Sequence, residues 1–163
     1  MLLIIITYKI GFVNNHKRKE RFMNVLFICT GNTCRSPMAA GFYNKIYGSG
    51  AKSAGIYADS GACASENSVE AMKRRGIDIS SHRAAQVTPD DIKAADRIYT
   101  MTEGHAVILK EAFPEAADKI SELGKGISDP FGADLETYQR CADEICGYIE
   151  TLLPSNNEKL RIR

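Results

Sequence analysis

Cys29-Thr30-Gly31-Asn32-Thr33-Cys34-Arg35 sets a cysteine and an arginine at the two ends of a glycine-containing turn, with Ser36-Pro37 directly behind. A thiol and a guanidinium so arranged are the parts of a nucleophile placed beneath a bound anion. The planar fork of Arg35 matches two oxygens of a tetrahedral oxyanion, and successive backbone N–H groups of the turn supply further donors. Ahead of the turn, Val25-Leu26-Phe27-Ile28 is a short apolar run that reads as a buried strand. Behind it, Ser36 reads as a helix N-cap and Pro37 as the first helical residue, where a missing N–H costs nothing. Cys29 is then expected at a strand end with a helix N-terminus facing it, an anion cradle that favours the thiolate. A cysteine and an arginine fall at this spacing by chance often enough to mean little. The strand before, the glycine within and the helix start after make the pattern specific.

A thiolate that takes a phosphoryl group also needs a proton donor for the leaving atom, and a carboxylic acid on a loop can supply it. Gly126-Ile127-Ser128-Asp129-Pro130-Phe131-Gly132 offers one in Asp129. Taken alone, Asp-Pro is a turn dipeptide, and most such aspartates only cap turns.

The stretch CTGNTCRSP after an apolar strand resembles the low-molecular-weight protein tyrosine phosphatase family. Within it, the chain is similar to the bacterial branch that includes protein arginine phosphatases, from about Met23 to about Leu153. The resemblance implies a two-step phosphatase with Cys29 as nucleophile, Arg35 as phosphate clamp and Asp129 as general acid. It implies a phosphate-binding ring of Thr30, Gly31, Asn32, Thr33, Cys34 and Arg35. It also implies a polar network of Asn32, Ser36, Ser53 and His82 that shapes the ring. By itself His82, in Ser80-Ser81-His82-Arg83, reads as an exposed loop histidine. Phe131 matches an aromatic wall of the substrate pocket; Tyr57 is a second wall or an ordinary tyrosine. Cys34 beside Cys29 is either a redox partner that protects the nucleophile or a small buried residue filling the loop.

Substrate preference turns on Thr33, where tyrosine-specific members usually carry a larger aliphatic residue and arginine phosphatases resemble this chain. A polar side chain at the pocket floor accepts a guanidinium whose N–H donors an apolar floor would leave unpaired. With Phe131-Gly132 in place of paired tyrosines, this favours phosphoarginine over phosphotyrosine; otherwise Thr33 is only a tolerated loop residue. Two other functions compete. An arsenate reductase of the same fold relays electrons through a further cysteine pair, yet no cysteine lies between Gly76 and Arg140. A non-catalytic phosphopeptide-binding module would need neither nucleophile nor acid. His16 and His105 have no partner in this reading, and Cys63, Cys141 and Cys146 read as ordinary residues. No zinc-ligand spacing appears, and the chemistry needs neither metal nor cofactor.

The elements that must hold these residues alternate between strand and helix. Strands are expected at Val25–Ile28, Ala51–Tyr57, Arg97–Met101 and, weakly, Lys119–Leu123. Helices are expected from Met38 to a stop at Gly48, from Ser65 to Arg75, from Thr88-Pro89, from Glu103 to Phe113 with closure at Pro114, and from Asp134 to Leu153. The alternation predicts an α/β fold: one domain, a four-stranded parallel sheet with helices on both faces and the phosphate loop after the first strand. Ligands of such sheets sit beyond the carboxyl ends of the strands, where Cys29 lies.

At 163 residues the chain suits one domain with a real core, and 44% hydrophobic with 25% charged residues is ordinary for a soluble protein. A net charge of +1 argues against a nucleic-acid partner and leaves phosphorylated proteins as the expected substrates. Lys9, Lys17, Arg18, Lys19 and Arg21 against Glu20 give residues 1–22 a charge of +4, so the remainder carries −3. The opening run Met1-Leu2-Leu3-Ile4-Ile5-Ile6 has its basic residues after it, the wrong polarity for a secretory signal, and is too short to span a membrane. Residues 1–22 are expected to lie outside the fold. Lys19-Glu20 can be encoded AAG GAG, a ribosome-binding sequence just before Met23, which fits a start assigned too early; a weak surface anchor is the other reading. The catalytic domain is then 23–154, with 155–163 a polar tail. Five cysteines, an odd number with two in the active loop, do not form a disulfide framework and point to the reducing cytoplasm. The oligomeric state leaves no trace in the sequence.

Overall fold

The computed structural model describes residues 23–152. Its centre is β1 (Val25–Cys29), all five residues of which are buried. β1 pairs in parallel with β2 (Ala51–Gly55) on one side and β3 (Arg97–Thr100) on the other, and β4 (Ile120–Glu122) adds to β3. The order β2-β1-β3-β4 makes β1 an interior strand, which explains an apolar run without polar alternation.

Successive side chains of β1 enter two different cores. Val25, Phe27 and Cys29 pack with α1 (Arg35–Tyr47), α2 (Glu66–Lys73) and α5 (Leu135–Glu150), against Met38, Phe42, Met72, Ile145 and Ile149. Leu26 and Ile28 pack with α3 (Pro89–Ala94) and α4 (Glu103–Ala112), against Ile92, Ala106 and Leu109. The sheet is therefore covered on both faces, as the alternation of elements predicts. α5 buries Tyr138, Cys141, Ala142, Ile145 and Ile149, a stripe of helical period. Among the described residues no helix is long and apolar enough to cross a membrane.

Side-chain caps fix several helix starts. Ser65 accepts from the Ser68 N–H, Thr102 from that of His105 and Asp134 from that of Thr137, while Thr88 and Asp91 form a reciprocal capping box. α1 ends at Gly48, in the left-handed region at φ 92°.

One boundary differs from the sequence reading and matters for the site. α1 begins at Arg35 with Cys34 at the N-cap, not with Ser36 as N-cap and Pro37 as first residue. Pro37 occupies the third helical position, where an N–H still has no intrahelical acceptor, so the proline costs no helical hydrogen bond there. The first helical bond is Met38 N–H to Cys34 carbonyl, at 3.4 Å. Ser36 is consequently freed from capping, and its hydroxyl turns inward. Two smaller differences follow local geometry. The β2 ladder stops at Gly55, and Pro114 opens a 3-10 helix (Pro114–Lys119) as well as closing α4. The expectations for residues 1–22 and 153–163 lie outside the described residues.

Candidate active site

The loop from Cys29 to Arg35 is shaped by where its carbonyls go. The Cys29 carbonyl accepts from the Ile56 N–H at 3.0 Å and that of Thr30 from Tyr57 at 2.9 Å. The Asn32 carbonyl meets His82 Nε2 at 2.8 Å, the Thr33 carbonyl accepts from Ser65 at 2.8 Å, and the Cys34 carbonyl from Met38. Every one of these partners lies outside the loop. In a planar trans peptide the next residue's N–H points the opposite way, so the N–H groups of Thr30, Gly31, Thr33, Cys34 and Arg35 face the inside of the ring. β2 passes close enough to make this possible only through Gly55. A Cβ there would lie 2.6 Å from the Thr30 carbonyl oxygen and 3.1 Å from the Asn32 nitrogen.

Asn32 is the loop's keystone. Among the described residues it alone combines a side chain with a positive φ, 55°, a conformation that asparagine tolerates better than most. Its Nδ2 donates to Ser36 Oγ and Ser53 Oγ, both at 2.9 Å, and its Oδ1 accepts from the Ala85 N–H at 2.9 Å. Because a carbonyl can only accept, His82 must carry its proton on Nε2 to bond the Asn32 carbonyl. Thus Asn32, Ser36, Ser53 and His82 come together as one network, fully hydrogen-bonded through Asn32. The Asn32 backbone N–H and Ser36 Oγ then converge on Cys29 Sγ, at 3.3 and 3.0 Å. Both can donate to a thiolate.

Arg35, at the first turn of α1, is buried, and its guanidinium closes the ring. Nη1 donates to the Ile127 carbonyl at 3.0 Å and Nη2 to Asp129 Oδ2 at 2.7 Å, while Nε has no partner among the described residues. A buried, unpaired N–H beside inward-facing amides suits a tetrahedral oxyanion. Asp129 uses its other oxygen to accept from the Phe131 N–H at 3.2 Å, a turn that sets the carboxylate half-exposed beside Arg35. Phe131 and Tyr57 are 77% and 71% exposed, too much for core residues. The backbone N–H of each is tied to a site residue, Asp129 and Thr30 respectively. Thr33 is half-buried in the loop, with Oγ1 3.6 Å from Cys34 Sγ.

Cys34 Sγ sits 3.3 Å from Tyr138 Oη and 3.5 Å from Ser65 Oγ. Burial, then the bond to Cys34, raises the Tyr138 hydroxyl to about 12. Burial pushes Cys141 up to about 12 and raises Cys146, so both behave as neutral thiols and not as nucleophiles. All five cysteines are free.

The sequence reading missed His105. Its ring joins Thr102 Oγ1 (Nδ1, 3.0 Å) to Thr30 Oγ1 (Nε2, 2.9 Å), directly beside Cys29. Burial, then the Arg35 charge, lowers its pKa from 6.5, partly opposed by Asp129. Its position in the first turn after β3, at the sheet edge where Cys29 ends β1, was the available signal.

Comparison with known proteins agrees with this geometry. The family model for low molecular weight phosphotyrosine protein phosphatase matches residues 24–161. A protein-arginine-phosphatase of Geobacillus stearothermophilus is 40% identical over 146 residues, covering 84% of this chain and 95% of that protein. Arsenate reductase 1 of Staphylococcus epidermidis is 36% identical, covering 78% of this chain and 92% of its own. A crystal structure of a low molecular weight protein tyrosine phosphatase from T. tengcongensis superposes with a TM-score of 0.74 at 44% identity, covering 79% and 96%. The chain belongs to the low molecular weight phosphotyrosine protein phosphatase family.

Proposed function

We propose that this low molecular weight protein phosphatase hydrolyses phosphoarginine in proteins in preference to phosphotyrosine, through a phosphate ester of Cys29. In the first step Cys29 Sγ attacks phosphorus in line with the leaving atom. The S–P bond forms, the P–N or P–O bond breaks, and protonated Asp129 gives its proton to the departing nitrogen or oxygen. The inward N–H groups and Arg35 hold the equatorial oxygens throughout, where most of the stabilisation of the transition state arises. In the second step ionised Asp129 takes a proton from water, the water oxygen attacks phosphorus, and inorganic phosphate leaves as the S–P bond breaks. The Asn32–Ser36–Ser53–His82 network keeps the donors oriented before charge develops.

The observation that carries this reading is Asp129 Oδ2 at 2.7 Å from Arg35 Nη2, beside the ring whose floor is Cys29. Nucleophile, clamp and carboxyl thus share one site. Cys29→Ser should abolish phosphate release from an aryl phosphate; activity near wild type would reject the nucleophile.

Thr33 supports the phosphoarginine preference, since its hydroxyl offers a guanidinium a polar neighbour where an aliphatic side chain would leave each N–H unpaired at about 1–3 kcal/mol. Kinetics on phosphoarginine and phosphotyrosine peptides should show Thr33→Ile losing the first substrate selectively. Five free thiols fit a reducing interior, the cytoplasm, as its place of work. The similarity to an arsenate reductase gives a second reading. Against it, the nearest cysteine after Cys63 is Cys141, buried and raised to about 12, a poor relay for electrons. Arsenate consumption coupled to thioredoxin would revive it.

A further inference from the structure

The chain Thr102–His105–Thr30 is not used by the mechanism above, yet it ends on the residue next to the nucleophile. Its hydrogen-bond directions can be worked out. Thr102 Oγ1 already accepts the His105 backbone N–H at 3.3 Å as the cap of α4, which leaves its own proton to donate. Donating it to Nδ1 makes His105 the tautomer with its proton on Nε2, and Nε2–H then donates to Thr30 Oγ1. The opposite tautomer would leave the half-buried Thr102 proton without an acceptor, whereas this one leaves the spare proton on exposed Thr30.

Thr30 is therefore held from two sides. Its carbonyl is bonded to Tyr57 N–H next to β2, and its side chain is bonded to His105 on α4. One lone pair of Oγ1 takes the Nε2–H; a second lone pair and the hydroxyl proton remain at the exposed mouth of the ring. The same mouth carries the two charges that bear on His105, Arg35 of α1 and Asp129 of the segment between β4 and α5. Arg35 opposes protonation of the imidazole and Asp129 favours it.

Building on Cys29 as the nucleophile, we propose that His105 is a specificity-setting positioning residue: it holds the Thr30 hydroxyl so that its free lone pair accepts an N–H of a guanidino leaving group. An aryl leaving group has no such donor and gains nothing from that lone pair, so the contact discriminates between the two substrate classes. A second consequence concerns pH. Protonated His105 sets another cation beside a leaving group that itself departs as a guanidinium. Preference for phosphoarginine thus falls on acidification while aryl phosphate turnover changes less.

The test compares kcat/KM for a phosphoarginine peptide and for p-nitrophenyl phosphate between pH 5.5 and 8, with nonenzymatic hydrolysis subtracted. Thr30→Val keeps the branched shape and removes the oxygen. Because Thr30 belongs to the phosphate-binding ring, the readout is the ratio of kcat/KM for the two substrates, which should shift against the phosphoarginine peptide about five- to tenfold, the size of one neutral hydrogen bond. His105→Ala should do the same, and Thr30→Ser should restore the wild-type ratio. His105→Gln places an amide N–H near Nε2 without a titrating group, so it should keep the preference and remove its pH dependence. Equal losses on both substrates, or a His105→Gln ratio as low as that of His105→Ala or as pH-dependent as that of the wild type, would overturn the proposal. The underlying reading fails separately, if acid quench of the wild type during turnover traps no phosphate on Cys29.

Discussion

The floor and the rim of the site are built on opposite principles. The floor, from Cys29 to Ser36, is buried at its critical side chains and tied by bonds from β2, the Ser80–Gln86 segment and the start of α2. The rim, Tyr57, Asp129 and Phe131, is exposed, and its side chains make few bonds beyond the Arg35 contact. The floor must hold donors in place before charge moves, which demands redundancy. The rim must admit a side chain of a folded partner and let a proton pass, which demands freedom. Damage to the floor should therefore cost stability and turnover together, and damage to the rim only turnover or affinity.

The sharpest separation is expected at Asp129. Asp129→Asn keeps one acceptor oxygen, enough for either Phe131 or Arg35 but not both, and because the position is half-exposed, unfolding in urea should change by less than about 1 kcal/mol. Turnover of poor leaving groups should fall about 10²–10⁴-fold, the usual worth of general acid catalysis, and activated aryl phosphates should suffer least. A large loss of stability would break the contrast. Asn32→Ala, in the floor, should lose stability as well as turnover. It strands hydroxyl and amide partners and puts alanine at φ 55°, for about 3 kcal/mol together. Asn32→Gly, which relieves the backbone but not the bonds, should recover about 1 kcal/mol of that.

That division also marks what could be read from the sequence. The buried central strand, the capped helix starts at Ser65, Thr88 and Asp134, and the stop at Gly48 follow from local chemistry, and all were legible. The helix start at Arg35 was not, because Ser36 has the composition of a cap and its actual partners, Cys29 and Asn32, belong to the loop it was thought to end. His105 was harder to find for a different reason. Its partner Thr30 lies 75 residues away, and only the parallel pairing of β1 with β3 brings the two strand ends together. The Arg35–Asp129 contact spans 94 residues and was reachable only through resemblance to relatives.

Smaller effects sharpen the picture at the rim. Phe131→Ala and Tyr57→Ala should leave stability within about 0.5 kcal/mol, as exposed side chains do. Each should raise KM for peptide substrates more than it changes kcat. The smallest effect should appear in the pH dependence of unfolding. Unfolded His105 takes up a proton near 6.5, while the folded ring, with its lowered pKa, resists until lower pH. Its contribution is then complete above 6.5 and declines as pH falls through the window beneath it. His105→Gln should flatten that decline.

Arg35 sits under two claims. With Nη2 on Asp129 and Nη1 on Ile127, the buried guanidinium carries its own counter-ion from within the chain. An arriving phosphoryl group must contend with that carboxylate for the same cation, so Asp129 acts as a tethered competitive inhibitor until it is displaced.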